Sequence, residues 1–339
     1  MLLQSPQNWK DYELIDSGNF EKLERFGSYI LARPEPKALW DKSLSDKEWN
    51  NLAHTKFTTG AGFGRSGKED SGSWNMLKKM PEQWLIRYNP AKEGNALNGL
   101  DFQLRLGLTS FKHVGVFPEQ SPNWNFIYQQ SKELVEIFKN RNGLGPDIKN
   151  GADTLHATGS SARPKVLNLF AYTGAASLAA RAAGADTTHL DSVRQVVTWA
   201  KGNMEMSGLD NIRWVVEDAL KFVKREAKRG NVYNGLILDP PAYGHGPDGE
   251  KWKLDELLFE LLTECSKIVA PKDAFMVLNL YSNGYSALLA DTAVRTSFGL
   301  LPERGGEEIS GCELTCGELV LRDSFGKAIP LSVFSRLRR

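Results

Sequence analysis

The stretch Lys165–Asp191, KVLNLFAYTGAASLAARAAGADTTHLD, decides the fold. It opens on a short apolar run, Val166–Leu169, and turns at Phe170-Ala-Tyr-Thr-Gly174. An Ala-rich helix follows and ends at Gly184. DTTHLD then reads as a strand closing on the acid Asp191. Strand, turn, helix and strand in this order make a βαβ crossover, which joins parallel strands. A single membrane-spanning helix across Val166–Ala185 is the poorer reading, because Asn168, Thr173, Gly174 and Arg181 interrupt it.

The pattern continues toward the C-terminus. VRQVVTWAKGNMEMSG is a helix stopped by Gly208, and NIRWVVED is a strand ending in an acid. ALKFVKREAKRG is a helix stopped by Gly230. VYNGLILDPP is a strand ending in an acid and two prolines. KLDELLFELLTECSKIV is a helix and DAFMVLNLYS a strand. Strands that alternate with helices in this way predict a doubly wound, mainly parallel α/β sheet. The tail segments CELTCGELVLR and PLSVFSRLRR predict an antiparallel hairpin at one sheet edge.

Toward the N-terminus the character changes. Residues 1–115 read as short strands and turns, with YILARPEPKALW, QWLIRYNP and LDFQLRLGL the clearest. This predicts a smaller β-rich domain over 1–115, a candidate for substrate recognition, ahead of a larger α/β domain over 116–339. Trp9, Trp40, Trp49, Trp74 and Trp84 lie in the first part. They suit base stacking, but filling the core of a small β domain is the commoner use of such residues. A linking helix is expected from about Trp124 to Arg141. The Gly-, Asn- and Asp-rich segment after it reads as a loop.

The 339 residues suffice for two domains, and 41% hydrophobic with 24% charged residues excludes wholesale disorder. The formal charge is +1, so a nucleic-acid partner has to be argued from local sites rather than a global field. The three cysteines are too few for a disulfide framework and fit a reducing, cytoplasmic setting. The first residues, MLLQSPQNWKDYELIDSG, carry no apolar signal segment, so neither secretion nor a membrane partner is expected.

One glycine-rich loop is a decoy. Gly60–Ser73 contains Gly62-x-Gly64-x-x-Gly67 and, in another register, nearly a phosphate loop ending in Lys68. Glu69 stands where a phosphate loop needs Ser or Thr, and no helix pattern follows. Arg65 and Lys68 read as solvated, with substrate contact the less favoured alternative. The turn 170–174 is better placed, between the first parallel strand and its helix. There a helix N-terminus offers free N–H groups to an anion.

Three acids carry a stronger signal. Asp191, Asp218 and Asp239 close successive parallel strands, and such ends converge on one crevice. The first can accept both hydroxyls of a ribose. The second, followed by small Ala219, can accept from an adenine amino group; helix capping is the plain alternative. The third, rigidified by Pro240 and Pro241, lies beside the reacting atoms. A pyrophosphate ligand would favour G-x-G-x-x-G at the first turn, and AYTGAAS is not that. The ligand suggested has ribose, adenine and a zwitterionic arm but no pyrophosphate, a description that S-adenosylmethionine meets.

These segments, VLNLFAYTGAASLAA, the acids Asp191 and Asp218, and LILDPPAYGHG, resemble class I S-adenosylmethionine-dependent methyltransferases. The group most similar is that of the large-subunit ribosomal RNA methyltransferases with an F-x-Y-T-G first motif and a D-P-P-x-[FY] fourth motif. The resemblance runs from about Phe111, including FKHVGVFPEQ, to the C-terminus. It implies a Rossmann-like sheet of seven strands with the last antiparallel. It implies that Asn168, Phe170, Ala171, Tyr172 and Gly174 hold the methionine end, Asp191 and Ser192 the ribose, and Asp218 and Ala219 the adenine. Asp239 and Pro240 then face the methyl group, Tyr243, one place late behind Ala242, is the aromatic that would stack on the base, Gln120 lies near the cofactor, and ribosomal RNA is the expected substrate. A metal is not expected.

The sequence also departs from the group. The RNA-binding PUA domain of many relatives is not evident in residues 1–115. Relatives that methylate C5 of cytosine carry cysteines after the fifth strand, where this chain has Leu278-Asn-Leu-Tyr-Ser-Asn-Gly284. C5 of cytosine needs transient thiolate addition, so a nitrogen acceptor is expected instead. Loop 243–253 is expected to be mobile and to close over the base, with His245, Lys251 and Trp252 touching RNA. His113 and His189 read as structural. A same-fold enzyme acting on a small molecule or protein also fits the near-zero charge. A nicotinamide-dependent oxidoreductase is disfavoured by the first turn.

Overall fold

The computed structural model describes residues 1–60, 71–90, 96–141, 163–281, 284–302 and 311–339. The glycines 62, 64 and 67 with Arg65 and Lys68, the loop after the linking helix, and Ser282–Asn283 lie outside them. The first part of the chain forms β1 (Leu2–Gln4), β2 (Tyr12–Gly18), β3 (Glu21–Phe26), β4 (Tyr29–Pro34), α1 (Asp46–Leu52), β5 (Thr55–Thr59), β6 (Gly72–Met76), β7 (Gln83–Tyr88) and β8 (Phe102–Gly107). A single 3-10 turn, Pro118–Gln120, leads into α2 (Ser121–Arg141). The remainder forms β9 (Lys165–Leu169), α3 (Ala175–Ala182), β10 (Asp186–Asp191), α4 (Arg194–Met206), β11 (Ile212–Val216), α5 (Ala219–Lys228) and β12 (Gly235–Leu238). It continues through β13 (Tyr243–His245), β14 (Lys251–Lys253), α6 (Leu254–Ser266), β15 (Phe275–Tyr281), α7 (Ala287–Ser297), β16 (Glu313–Arg322) and β17 (Ala328–Arg338).

The large sheet runs in the order β1-β16-β17-β15-β12-β9-β10-β11. β9 pairs in parallel with both β10 and β12, and β12 pairs in parallel with β15. The expected doubly wound sheet is therefore present, and the chain reverses direction of winding between β9 and β12. In an open α/β sheet that switch point is where a ligand crevice opens. Strand residues alternate between two cores. Val166, Ile237, Phe275 and Val277 face one with α2 and α3. Leu167, Leu169, Leu236, Leu238, Met276 and Leu278 face the other with α5, α6 and α7. Both faces are covered, which is why the strands read as nearly continuous apolar runs.

Several expectations need correction. The antiparallel C-terminal hairpin forms at this end of the sheet, with β17 between β15 and β16, but β16 is not the last strand. Nor does the sheet stop at seven strands, because Leu2–Gln4 adds an eighth, parallel to β16. A backbone edge left open by β16 is thereby paired. Helix α7, which the sequence reading passed over, covers β16 and β17. The linking helix starts at Ser121 rather than near Trp124.

Within residues 1–115, β2-β3-β4-β5-β6 and β7-β8 form sheets of their own, while β1 belongs to the large sheet. Leu23, Ala32, Trp49 and Ala53 make a small core inside this region. Trp9, Tyr12, Phe26, Trp84, Tyr88, Phe102 and Leu104 share a larger cluster with Trp124, Leu178 and Val277. Strand pairing and packing therefore both run across the expected boundary at 115/116. The five tryptophans fill this region. Trp9, Trp49 and Trp84 are buried. The indole N–H groups of Trp9, Trp40, Trp49, Trp74 and Trp84 all find acceptors, at Arg87, Ser17, Asp16, Thr109 and Phe26. They are core residues with satisfied polar edges.

Candidate functional site

A cleft opens at the switch point. The turn after β9, the segment before α2, the end of β12 and the end of β15 form its walls.

The turn 170–174 is the most strained backbone in the cleft. Phe170 and Tyr172 take φ of 55° and 48°, and Gly174 takes 93°. Left-handed backbone at two bulky aromatics costs on the order of 1–3 kcal/mol each and persists only where the surroundings impose it. Here they do. Ala171 N donates to Leu190 O at 3.0 Å, and Gly174 N to Ala171 O at 3.0 Å. Tyr172 N donates to Asp191 Oδ2 at 2.9 Å. Thr173 Oγ1 donates to Gly115 O at 2.7 Å, and Asn203 Nδ2 to Thr173 O at 2.9 Å. Gly174 caps α3, and a Cβ there would stand 3.0 Å from that of Ala200. The first N–H groups of α3 have no acceptor within their own helix. With the turn they form a cradle suited to a carboxylate.

Beneath the turn lies a buried polar chain. Asn168 Nδ2 donates to Ser177 Oγ at 2.9 Å, and Ser177 Oγ lies 3.0 Å from His189 Nδ1. Burial pushes the His189 imidazole down to about 3, so it stays neutral beside the Ser177 hydroxyl. The structural reading of His189 holds, and Asn168 is oriented from below.

The opposite wall is the strap 111–117 and the start of α2. Phe117 packs its ring against His113, Tyr172 and Tyr281. The strap is tied back to the first part of the chain, since Arg33 Nη1 donates to Lys112 O at 3.1 Å. Arg33 itself is buried in an ion pair with Glu24 at 2.6 Å. Gln120 and Asn123 line the cleft here.

The reacting end is built differently. Asp239 follows β12 directly and accepts from Asn279 Nδ2 at 2.7 Å. Burial, with the nearby Glu119 charge, raises its carboxyl to about 7. Asn279 is buried, and its Oδ1 has no partner among the described residues. Tyr243 lies on a two-stranded ribbon, β13-β14, and is 63% exposed. The expected mobile loop 243–253 is thus a paired ribbon. Its Trp252 is no RNA contact: it is 3% exposed, packs on Phe170 and donates from its indole to Pro241 O at 2.7 Å. His245 and Lys251 remain exposed.

Of the residues picked from sequence, Gln120, Asn168, Phe170, Ala171, Tyr172, Gly174 and Asp239 line the cleft together. Asp191 stands one step back. Its two oxygens take the N–H groups of Tyr172 and Val193, leaving second lone pairs for hydroxyls. Ser192 follows it, half-buried. Asp218 and Ala219 do not line the cleft. Asp218 caps α5 by accepting from Lys221 N at 2.8 Å, and Ala219 is packed in the far core. Pro240 is buried beside Asp239, outside the lining.

The sequence reading missed Asn123 and Asn279. Both had a signal. Asn123 is one turn beyond Gln120 and shares its helix face. Asn279 sits in Val277-Leu-Asn-Leu-Tyr281, which repeats the pattern of Val166-Leu-Asn-Leu-Phe170. A lone Asn inside a buried apolar strand must find partners, and a site supplies them.

No model of a known protein family matches the chain. Among curated proteins it is similar to the ribosomal RNA large subunit methyltransferase K/L of Shewanella frigidimarina, 30% identical over 131 residues. That match covers 37% of this chain and 18% of that protein. It is also similar to the ribosomal RNA large subunit methyltransferase I of Aeromonas hydrophila, 32% identical over 138 residues. There 39% of this chain and 34% of the relative are covered. The chain thus spans about a third or less of these relatives. Among solved structures, the SAM-dependent methyltransferase from Agrobacterium tumefaciens is 34% identical with a TM-score of 0.77. It covers 100% of this chain and 93% of its own. SMU.776, solved with SAH, shares the fold at 17% identity and a TM-score of 0.64.

Proposed function

The chain belongs to the class I S-adenosylmethionine-dependent methyltransferases, and we propose that it methylates a nitrogen of an RNA base, ribosomal RNA first. The carrying observation is one cleft that joins a prebuilt cradle for an amino-acid arm to the Asp239 carboxyl. The relatives named for ribosomal RNA support the substrate class. A cytoplasmic location follows from that substrate. Among the described residues no helix is long and apolar enough to cross a membrane.

The residues suit the cofactor. Asn168, the turn 170–174 and the α3 N-terminus would take the carboxylate and ammonium of the methionine arm, with Gln120 opposite. Asp191 would take the ribose hydroxyls, with Ser192 beside it. Asp218 keeps a second oxygen for the adenine amino group, next to Ala219. When bound, S-adenosylmethionine supplies a methyl group already activated on a sulfonium.

The protein's task is then alignment and exclusion of water. Asp239, as carboxylate, accepts a hydrogen bond from the acceptor N–H and aims the nitrogen lone pair at the methyl carbon. A pKa near 7 lets it take the proton that the methylated nitrogen sheds. Pro240 stiffens its backbone, and Tyr243 on the ribbon offers a ring to the base. A ring-carbon acceptor fits less well. Cys265 is fully buried with its thiol raised by burial, Cys312 and Cys316 lie outside the cleft lining, and no cysteine lines the cleft.

The test is transfer of radiolabelled methyl from S-adenosylmethionine to purified ribosomal RNA, followed by nuclease digestion and nucleoside mass analysis. Label on a base nitrogen supports the proposal. Label confined to a low-mass extract or to protein, with RNA unmodified, overturns it.

A further inference from the structure

Arg336 is a buried cation with no ion pair among the described residues. It projects from β17, is 5% exposed, and stacks over Phe334 at 4.1 Å and Phe126 at 5.0 Å. Among the described residues no carboxylate pairs with it, and burial lowers its pKa to about 9. Burying a guanidinium this way is costly, so the hydrogen bonds it does make carry weight. Nε donates to Asn123 Oδ1 at 2.9 Å, and Nη2 to Gln4 Oε1 at 2.8 Å.

A guanidinium can only donate. Asn123 must therefore turn its oxygen to Arg336, which leaves its NH₂ pointing the other way. That NH₂ donates to Gln120 Oε1 at 2.8 Å. Gln120 must then present its own NH₂ onward, and it donates to the Tyr281 hydroxyl at 3.2 Å. The single Tyr281 proton is left for Glu119, with which it is hydrogen-bonded. Side-chain amides usually leave their orientation to choice. Here the donor-only end fixes every member in turn.

We infer that Arg336 is a positioning residue which, through Asn123 and Gln120, sets which hydrogen-bonding groups the cleft offers to the amino-acid arm of the cofactor. This rests on the cofactor reading above. Arg336 does not itself line the cleft, whereas Asn123 and Gln120 do. Each of these amides keeps one N–H and one lone pair beyond the chain. Reversing the chain would exchange donors for acceptors along that wall.

The test uses the full chain and Asn123→Asp, which is nearly isosteric. The new carboxylate accepts from Arg336 but cannot donate to Gln120, so Gln120 has to turn around. Calorimetry compares S-adenosylhomocysteine with methylthioadenosine, the same nucleoside without the amino-acid arm. The expected result is a loss of about tenfold for S-adenosylhomocysteine, equal to about 1.4 kcal/mol, with methylthioadenosine changed by less than about twofold. Arg336→Met should reproduce the selective loss. Arg336→Lys, still donor-only, should keep S-adenosylhomocysteine within about threefold of wild type. Equal loss for both ligands, or no loss for either, overturns the inference. Wild-type protein that fails to bind S-adenosylhomocysteine at all overturns the cofactor reading instead.

Discussion

The two ends of the cleft are built on opposite plans. At the cofactor end nearly every polar group is already committed: Asn168 to Ser177, Tyr172 N to Asp191, Thr173 to Gly115, Gln120 to Asn123 and Tyr281. At the acceptor end Asp239 has one side-chain partner, Asn279 keeps an unused oxygen, and Tyr243 stands open to solvent. The first arrangement suits a ligand that never varies, because preorganisation lowers the cost of ordering it. The second leaves groups with unspent hydrogen-bonding capacity where a proton has to move.

The largest expected effect breaks the acceptor end alone. Asp239→Asn should lower methyl transfer by about 100-fold or more while S-adenosylhomocysteine binding stays within about threefold. A parallel loss of binding would show that the two ends are not separable. The same carboxyl predicts a pH profile: wild-type transfer should rise as pH passes through about 7 and then level, and the variant should be flat. Stability should run the other way. A carboxyl raised in the folded state contributes stability below its unfolded value, and that stability is lost as pH climbs to about 7. Asp239→Asn should therefore melt progressively higher than wild type between about pH 4 and pH 8, measured by calorimetry.

The cofactor end should fail in binding instead. Asp191→Asn keeps only one acceptor oxygen, so either Tyr172 N or Val193 N loses its partner. Affinity for S-adenosylhomocysteine should fall by about tenfold in titration calorimetry. Gly174→Ala should cost about 1–3 kcal/mol in denaturant unfolding, since its φ is 93° and the new methyl meets Ala200. An unchanged midpoint would mean that the turn is not under the constraint described. The smallest effect is expected from Tyr243→Ala. It should leave the melting temperature and cofactor affinity within error and weaken only the acceptor, seen as a raised KM for RNA.

Much of the cleft was legible before the structure. The first turn announced itself through an apolar run broken by Asn168 and closed by Gly174. Asp239 was marked by its strand end and two prolines. Asp218 was legible as an acid at a strand end; its Oδ1 holds Lys221 N, the capping alternative, and its second oxygen is the one proposed for adenine. Trp252 misled because a polar, glycine-rich segment reads as a loop. Its ring buries against Phe170 only because β13 and β14 pair.

Local pattern therefore determined the βαβ alternation, the acids at strand ends and the place of the first turn, since each follows from period, breaker residues and neighbours along the chain; the strain at Phe170 and Tyr172 came from tertiary contacts. Tertiary structure decided the rest. The insertion of β17 inside β16, the addition of Leu2–Gln4 to the far sheet edge, and the bonds of Arg33 to Lys112 and of Arg336 to Asn123 all join residues distant in sequence. Such contacts leave no periodic trace in the chain. They exist because buried polar groups and open strand edges must find partners wherever the fold brings them.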